Sequence, residues 1–139
     1  MWLSGAVVLD SQKQNEKIVR EIYRALSEGD YGKYFSLLSD DIVYYAAGDC
    51  QVSGIHKGKE ELKRMGTLTF EETQGTHRVE LKSLSATNTY VAAIDIWKAS
   101  RNGNSIQMEN LLVYKLKNGK VTEIREFIEN EKLHDEFWR

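Results

Sequence analysis

The chain has 139 residues, of which 41% are hydrophobic and 29% charged, and a formal net charge of -2. That balance excludes a disordered or fibrous polypeptide and supplies no field that would draw the protein onto a nucleic-acid backbone. One domain of this length hides roughly 68 to 70% of its unfolded surface, enough for a sizeable core.

The opening MWLSGAVVLD has an apolar patch of only Ala6 to Leu9 and no basic start. It reads as neither a signal peptide nor a membrane span, and no later segment is long enough to cross a bilayer. Residues 1–14 are therefore taken as an N-terminal extension, a tail or a docking segment for a partner subunit, and residues 15–139 as a single domain. From Asn15, Ile18, Ile22, Ala25 and Leu26 recur at helical spacing, with charges mostly on the opposite side. Gly29 is placed to end this helix and Asp30 to cap a second one presenting Tyr34, Phe35, Leu37 and Leu38.

The period then changes to that of a strand over Ile42 to Ala47, followed by a turn at Gly54 and a short helix from about Gly58 to Met65. Its basic residues Lys57, Lys59, Lys63 and Arg64 are answered by Glu60 and Glu61, which makes a solvated face. Four strands are expected beyond Thr67, at His77 to Leu84, Tyr90 to Lys98, Ser105 to Leu116 and Val121 to Ile128. RNGN and KNGK both carry Asn-Gly, the strongest short hairpin signal, so the last three strands should form a meander. The end, ENEKLHDEFWR, reads as a short helix or tail. The expected class is α+β, a curved antiparallel sheet wrapped around N-terminal helices.

The run IVREIYRALSEGDYGKYFSLLSDDIVYYAAG, then GIHKGKEELKRM, then LLVYKLKNGKVTEIREFIEN with a closing DEFW, resembles the SnoaL-like members of the nuclear-transport-factor-2-like superfamily. The resemblance covers nearly the whole chain from about residue 15. It implies a cone whose curved sheet surrounds an internal pocket, often with the outer sheet face buried in a homodimer. The superfamily includes polyketide cyclases, ketosteroid isomerases, limonene-epoxide hydrolases, scytalone dehydratases and non-catalytic pocket proteins, so the fold alone names no reaction. Compared with the ketosteroid isomerases, this chain has Ile22 at the oxyanion-holding tyrosine, Ala46 at the base and Leu112 at the hydrogen-bond-donating aspartic acid, which argues against that chemistry. The same comparison turns Tyr44 into the cone and Tyr45 toward a dimer partner.

Polar residues that interrupt apolar strands are the candidates for chemistry. Asp95 lies among Ile94, Ile96 and Trp97, where a buried carboxyl has a raised pKa; the alternative is a surface or interface acid paired with a neighbouring cation. Glu126 matches a working aspartate of the epoxide hydrolases in an Arg-Glu-Phe context, although Leu112 and Asn110 replace the partner acid and arginine; a rim salt bridge is its alternative. His77 resembles a proton-handling histidine of scytalone-dehydratase-like proteins, or is a surface histidine at a strand start. Tyr44 would assist, or simply pack. Phe35, Leu62, Met65, Trp97, Met108, Asn110 and Leu112 are expected to line the ligand site, Asn110 bonding either a ligand carbonyl or the sheet edge.

His56, His77 and His134 are far apart in sequence and Cys50 stands alone, so no metal site is expected. Glycine patterns for nucleotide phosphates are lacking, and no cofactor is expected. A lone cysteine fits a reducing, cytoplasmic compartment. The functional expectation is a cofactor-independent cyclase, isomerase, dehydratase or hydrolase acting on a small apolar polyketide-like or terpenoid-like molecule by general acid-base catalysis. The alternative is a non-catalytic ligand-binding or dimeric interaction module of the same fold. The partners expected are a small apolar molecule and a second copy of the chain, with no nucleic acid and no membrane.

Overall fold

The computed structural model describes residues 5–139, with side chains from Asp10 onward. Helix α1 runs from Gly5 to Glu28, beginning ten residues before the expected start at Asn15. Neither glycine nor proline interrupts residues 6–28, so nothing in the chain stops the helix from extending through Ala6 to Leu9. Gly29, at φ +71°, supplies the left-handed residue that ends it. Asp30 caps α2 (Tyr31–Ser36), its carboxylate accepting the Lys33 N–H at 3.1 Å.

Six strands follow: β1 Leu38–Ala46, β2 Gly54–Lys57, β3 Arg78–Ala86, β4 Tyr90–Arg101, β5 Asn104–Lys117 and β6 Lys120–Ile128. Helix α3 (Lys59–Glu72) lies between β2 and β3, and α4 (Glu131–Trp138) closes the chain. The strand order is β2-β1-β6-β5-β4-β3, a curved, unclosed sheet. Asn102-Gly103 and Asn118-Gly119 all take positive φ, the backbone that a tight two-residue hairpin needs between β4 and β5 and between β5 and β6.

Three local expectations are corrected. Strand β1 pairs with β6 in parallel, because β1 enters the sheet from the helices whereas β6 arrives through a hairpin from β5. Strand β2 was not anticipated; it pairs with β1 through Tyr44 opposite His56. Helix α3 continues past Met65 to Glu72, since Leu62, Met65 and Leu68 share a helical face that packs on the two apolar clusters, outweighing a cost of roughly 1 kcal/mol for Gly66.

The larger cluster joins Val19, Ile22 and Tyr23 of α1 to Leu38, Ile42 and Tyr44 of β1 and to Val91, Ala93, Tyr114 and Ile124 of the sheet. The smaller one forms where α4 folds over the sheet. Trp97 stacks on Trp138 at 6.2 Å and meets Phe137 edge-on at 5.6 Å, with Ile106, Met108 and Val52 around them. Trp97→Ala should destabilise the protein by about 3–5 kcal/mol, seen as a lower urea midpoint with an unchanged slope.

Candidate functional site

The pleat sends alternate residues of a strand to one face. On the concave face β4 therefore presents Val91, Ala93, Asp95 and Trp97, β5 presents Met108, Asn110, Leu112 and Tyr114, and β6 presents Ile124, Glu126 and Ile128. Register aligns Asp95 with Asn110 and Leu112 with Glu126. Two acids thus stand on a mostly apolar surface, on either side of β5.

Asp95 is only 2% exposed. Its Oδ2 accepts the Tyr23 hydroxyl at 2.7 Å, and the Tyr23 oxygen in turn accepts the Tyr114 hydroxyl at 3.0 Å. Burial raises the Asp95 pKa to about 6; the Tyr23 hydrogen bond opposes this and the charge of Glu126 adds to it. Burial also pushes the Tyr23 and Tyr114 hydroxyls upward, so both remain neutral donors.

Glu126 is held from the opposite side of the cone. Its Oε2 accepts the Tyr44 hydroxyl at 3.0 Å and its Oε1 accepts the Ala47 N–H at 3.1 Å. Desolvation raises its pKa, while those two hydrogen bonds and the nearby His134 and His56 draw it back. Tyr44 faces inward at 8% exposure. Tyr45 points the other way, with the Arg125 guanidinium 4.0 Å above its ring.

The other expected site residues are dispersed. Asn110 is buried and its Oδ1 accepts the Glu129 N–H at 3.3 Å, a bond that fastens the end of β6. His77 lies one residue beyond the Arg78–Lys98 pair, whereas Asp95 pairs with Leu81, so the register separates it from Asp95. Its ring stands 6.0 Å from Trp97, and desolvation with the Arg78 charge lowers its pKa to about 4. Leu62 is in the larger core, Trp97 and Met108 are in the smaller, and Met65 touches both. Phe35 packs against Tyr34 at 5.1 Å beneath the Lys63 ammonium, and half-buried Leu112 borders Glu126.

Sequence reasoning missed Tyr23 and Tyr114. Tyr23 falls on the Val19, Ile22, Tyr23, Leu26 stripe of α1, a spacing that would have pointed to it, and Tyr114 shares the strand face of Asn110 and Leu112. A groove of about 530 Å³ runs between α1 and β3, with Tyr23, Arg20, Arg24, Val79 and Leu81 on its wall. Neither carboxylate lies on that wall. The expectation that Cys50 stands alone is also corrected: the fold sets it beside His134 and Asp135, since the β1–β2 loop and α4 converge although 84 residues separate the cysteine from the histidine.

The profile of the SnoaL-like domain matches residues 19–124. The chain belongs to the SnoaL-like family. That family comprises small-molecule cyclases, isomerases and binding proteins. An uncharacterized protein of Mycobacterium tuberculosis is similar at 24% identity over 122 residues, covering 87% of this chain and 93% of the relative. Bal32a, from a soil-derived mobile gene cassette, superimposes with a TM-score of 0.89 at 28% identity, covering 93% of this chain and 99% of Bal32a. A Mycobacterium tuberculosis protein in complex with estradiol-17beta-hemisuccinate has the same fold, with a TM-score of 0.70 at 17% identity and coverage of 81% of this chain and 92% of that protein.

The raised Asp95 pKa carries a stability consequence. Folded Asp95 keeps its proton to about pH 6, whereas an unperturbed aspartate releases it near 3.8, so protonation favours the folded state. Stability should be greatest below the unfolded value and should fall as pH rises through the folded one, a loss of about 3 kcal/mol. Asp95→Asn, which still accepts the Tyr23 hydroxyl, should therefore raise the melting temperature by several degrees at about pH 8 and leave it nearly unchanged at about pH 4, checked by scanning calorimetry.

Proposed function

We propose that this protein is a cofactor-independent enzyme of the cyclase, isomerase, dehydratase or hydrolase type, acting on an apolar polyketide-like or terpenoid-like molecule by general acid-base catalysis. The observation that carries the proposal is the pair of desolvated carboxyls, Asp95 and Glu126, each tied to a tyrosine hydroxyl on the concave apolar face. Burial makes each a better proton acceptor than a free carboxylate, and the attached hydroxyls limit the shift, which suits both to general acid-base work.

Glu126 is the proton-moving group in this proposal. It is less fully buried than Asp95, which is 2% exposed and bonded to Tyr23. Asp95 polarises the Tyr23 hydroxyl and, through it, Tyr114; Tyr23 also stands on the groove wall. The Mycobacterium tuberculosis protein of the same fold in complex with estradiol-17beta-hemisuccinate supports a ligand with a largely apolar carbon skeleton. A binding module is the second reading, favoured by the groove, whose wall includes neither acid.

With a turned-over substrate in hand, Glu126→Gln should lower kcat by about 10²- to 10⁴-fold and leave ligand affinity within a few-fold of the parent. Full turnover by the variant would overturn the assignment of Glu126 as the proton carrier. Tyr44→Phe removes a hydrogen bond that stabilises the Glu126 carboxylate, so the rising limb of the pH-rate profile should move to higher pH.

A homodimer is part of the same proposal. Ile94, Leu111 and Phe127 lie in register on the outer sheet face and are 38%, 37% and 52% exposed. Such an apolar row is suited to cover by a second copy. Leu111→Lys should shift the protein from dimer to monomer in sedimentation velocity; a parent that is already monomeric at micromolar concentration refutes the assignment.

A further inference from the structure

We infer that Cys50, His134 and Asp135 form a binding site for a divalent transition-metal ion of the zinc class, built where the β1–β2 loop meets α4. One ligand atom from each residue, a thiol sulfur, an imidazole nitrogen and a carboxylate oxygen, lies within 4.8 Å of both others. Around a tetrahedral ion with bonds of about 2.0 to 2.3 Å, neighbouring donors stand roughly 3.3 to 3.8 Å apart. The three atoms close onto such an ion with sub-ångström adjustment, and three protein ligands leave the fourth position for water, the coordination of an open zinc site.

The loop is shaped around these donors. Gly48 has φ +89°, and a Cβ there would lie 2.5 Å from Asp135 Oδ1 and 2.8 Å from His134 Nδ1. Only glycine lets the backbone pass this close to the pair. The donors are also held from behind. Asp49 N–H donates to both Asp135 oxygens, at 3.0 and 3.1 Å, and the His134 ring is wedged at 5.7 Å from Trp97 and 6.3 Å from Trp138. His134 itself is only 5% exposed. Outer contacts of this kind fix the orientation of metal ligands.

A Cys-His-Asp nucleophile accounts for the arrangement less well. His134 Nδ1 and Asp135 Oδ1 are 3.0 Å apart, but the sulfur's hydrogen-bond partner is Ser53 Oγ at 3.2 Å, with no thiol–imidazole bond to activate it. Three donors grouped about a common point, without that bond, suit a cation. On binding, the thiol loses its proton to solvent and the ion takes the coordinating imidazole in its neutral form.

The test is a Co²⁺ titration of the full chain, freed of metal and kept reduced. The expected result is one Co²⁺ per chain with a thiolate-to-metal charge-transfer absorption, displaced by Zn²⁺. Cys50→Ser should abolish that absorption, and Asp135→Asn should weaken Zn²⁺ binding by about tenfold or more. Absence of the charge-transfer band in the parent, or a band that persists in Cys50→Ser, overturns the site. The parent titration is decisive by itself should a variant fail to fold.

Discussion

Strand parity on the concave face is the constraint on which the site depends. A one-residue slip in β4 or β6 would turn Asp95 or Glu126 outward and put Ile94 or Phe127 inside. The hairpins at Asn102-Gly103 and Asn118-Gly119 fix that parity, because each sets the register of the strands it joins. Once the register is set, the acids cannot avoid burial. Their raised proton affinity follows from position, and the tyrosine hydroxyls keep the cost of burial within what the fold tolerates.

The acids occupy β4 and β6 with β5 between them, a separation of about two strand spacings, or roughly 10 Å. They sense each other electrostatically but are too far apart to share one proton directly. Any transfer from one side of the cone to the other must run through a bound molecule or through the Tyr23–Tyr114 pair. Glu126 is joined to α4 by a short path: Ala47 N–H holds its Oε1, Ser53 Oγ donates to the Ala47 carbonyl, and Asp49 N–H holds Asp135 on α4. The loop that positions the proposed proton carrier is thus the same loop that closes on Cys50, His134 and Asp135. An ion there would stiffen the support of Glu126 without touching it.

The elements were legible wherever local chemistry is decisive. The helical stripe of α1, the Gly29–Asp30 boundary and both Asn-Gly hairpins depend on residues within a few positions of one another. The inward turn of Tyr44 followed from strand parity once the family resemblance had placed Ala46 toward the pocket. What the sequence could not show depends on distance along the chain. The parallel pairing of β1 with β6 unites residues about 80 positions apart, Tyr23 meets Asp95 across 72, and Cys50 meets His134 across 84. Trp97 looked like pocket lining because its strand face is inward, but α4, folding back from the C-terminus, covers that part of the face.

Family membership fixes the cone and leaves the chemistry to residue placement. Ile22, Ala46 and Leu112 stand where the resemblance to ketosteroid isomerases would require working groups, yet the concave face is not inert. The hydroxyl comes from Tyr23, one residue after Ile22, and the acids come from the strands flanking Leu112 on β5. On the concave face Leu112 of β5 lies between the strands that carry the two acids, so the carboxyls stand at the margins of an apolar centre instead of beneath it. Under the proposed acid-base function, such a layout would suit moving protons between two positions of one molecule more than stabilising a single developing charge, because the two carboxyls are tied to different tyrosines on different strands and do not converge on one point.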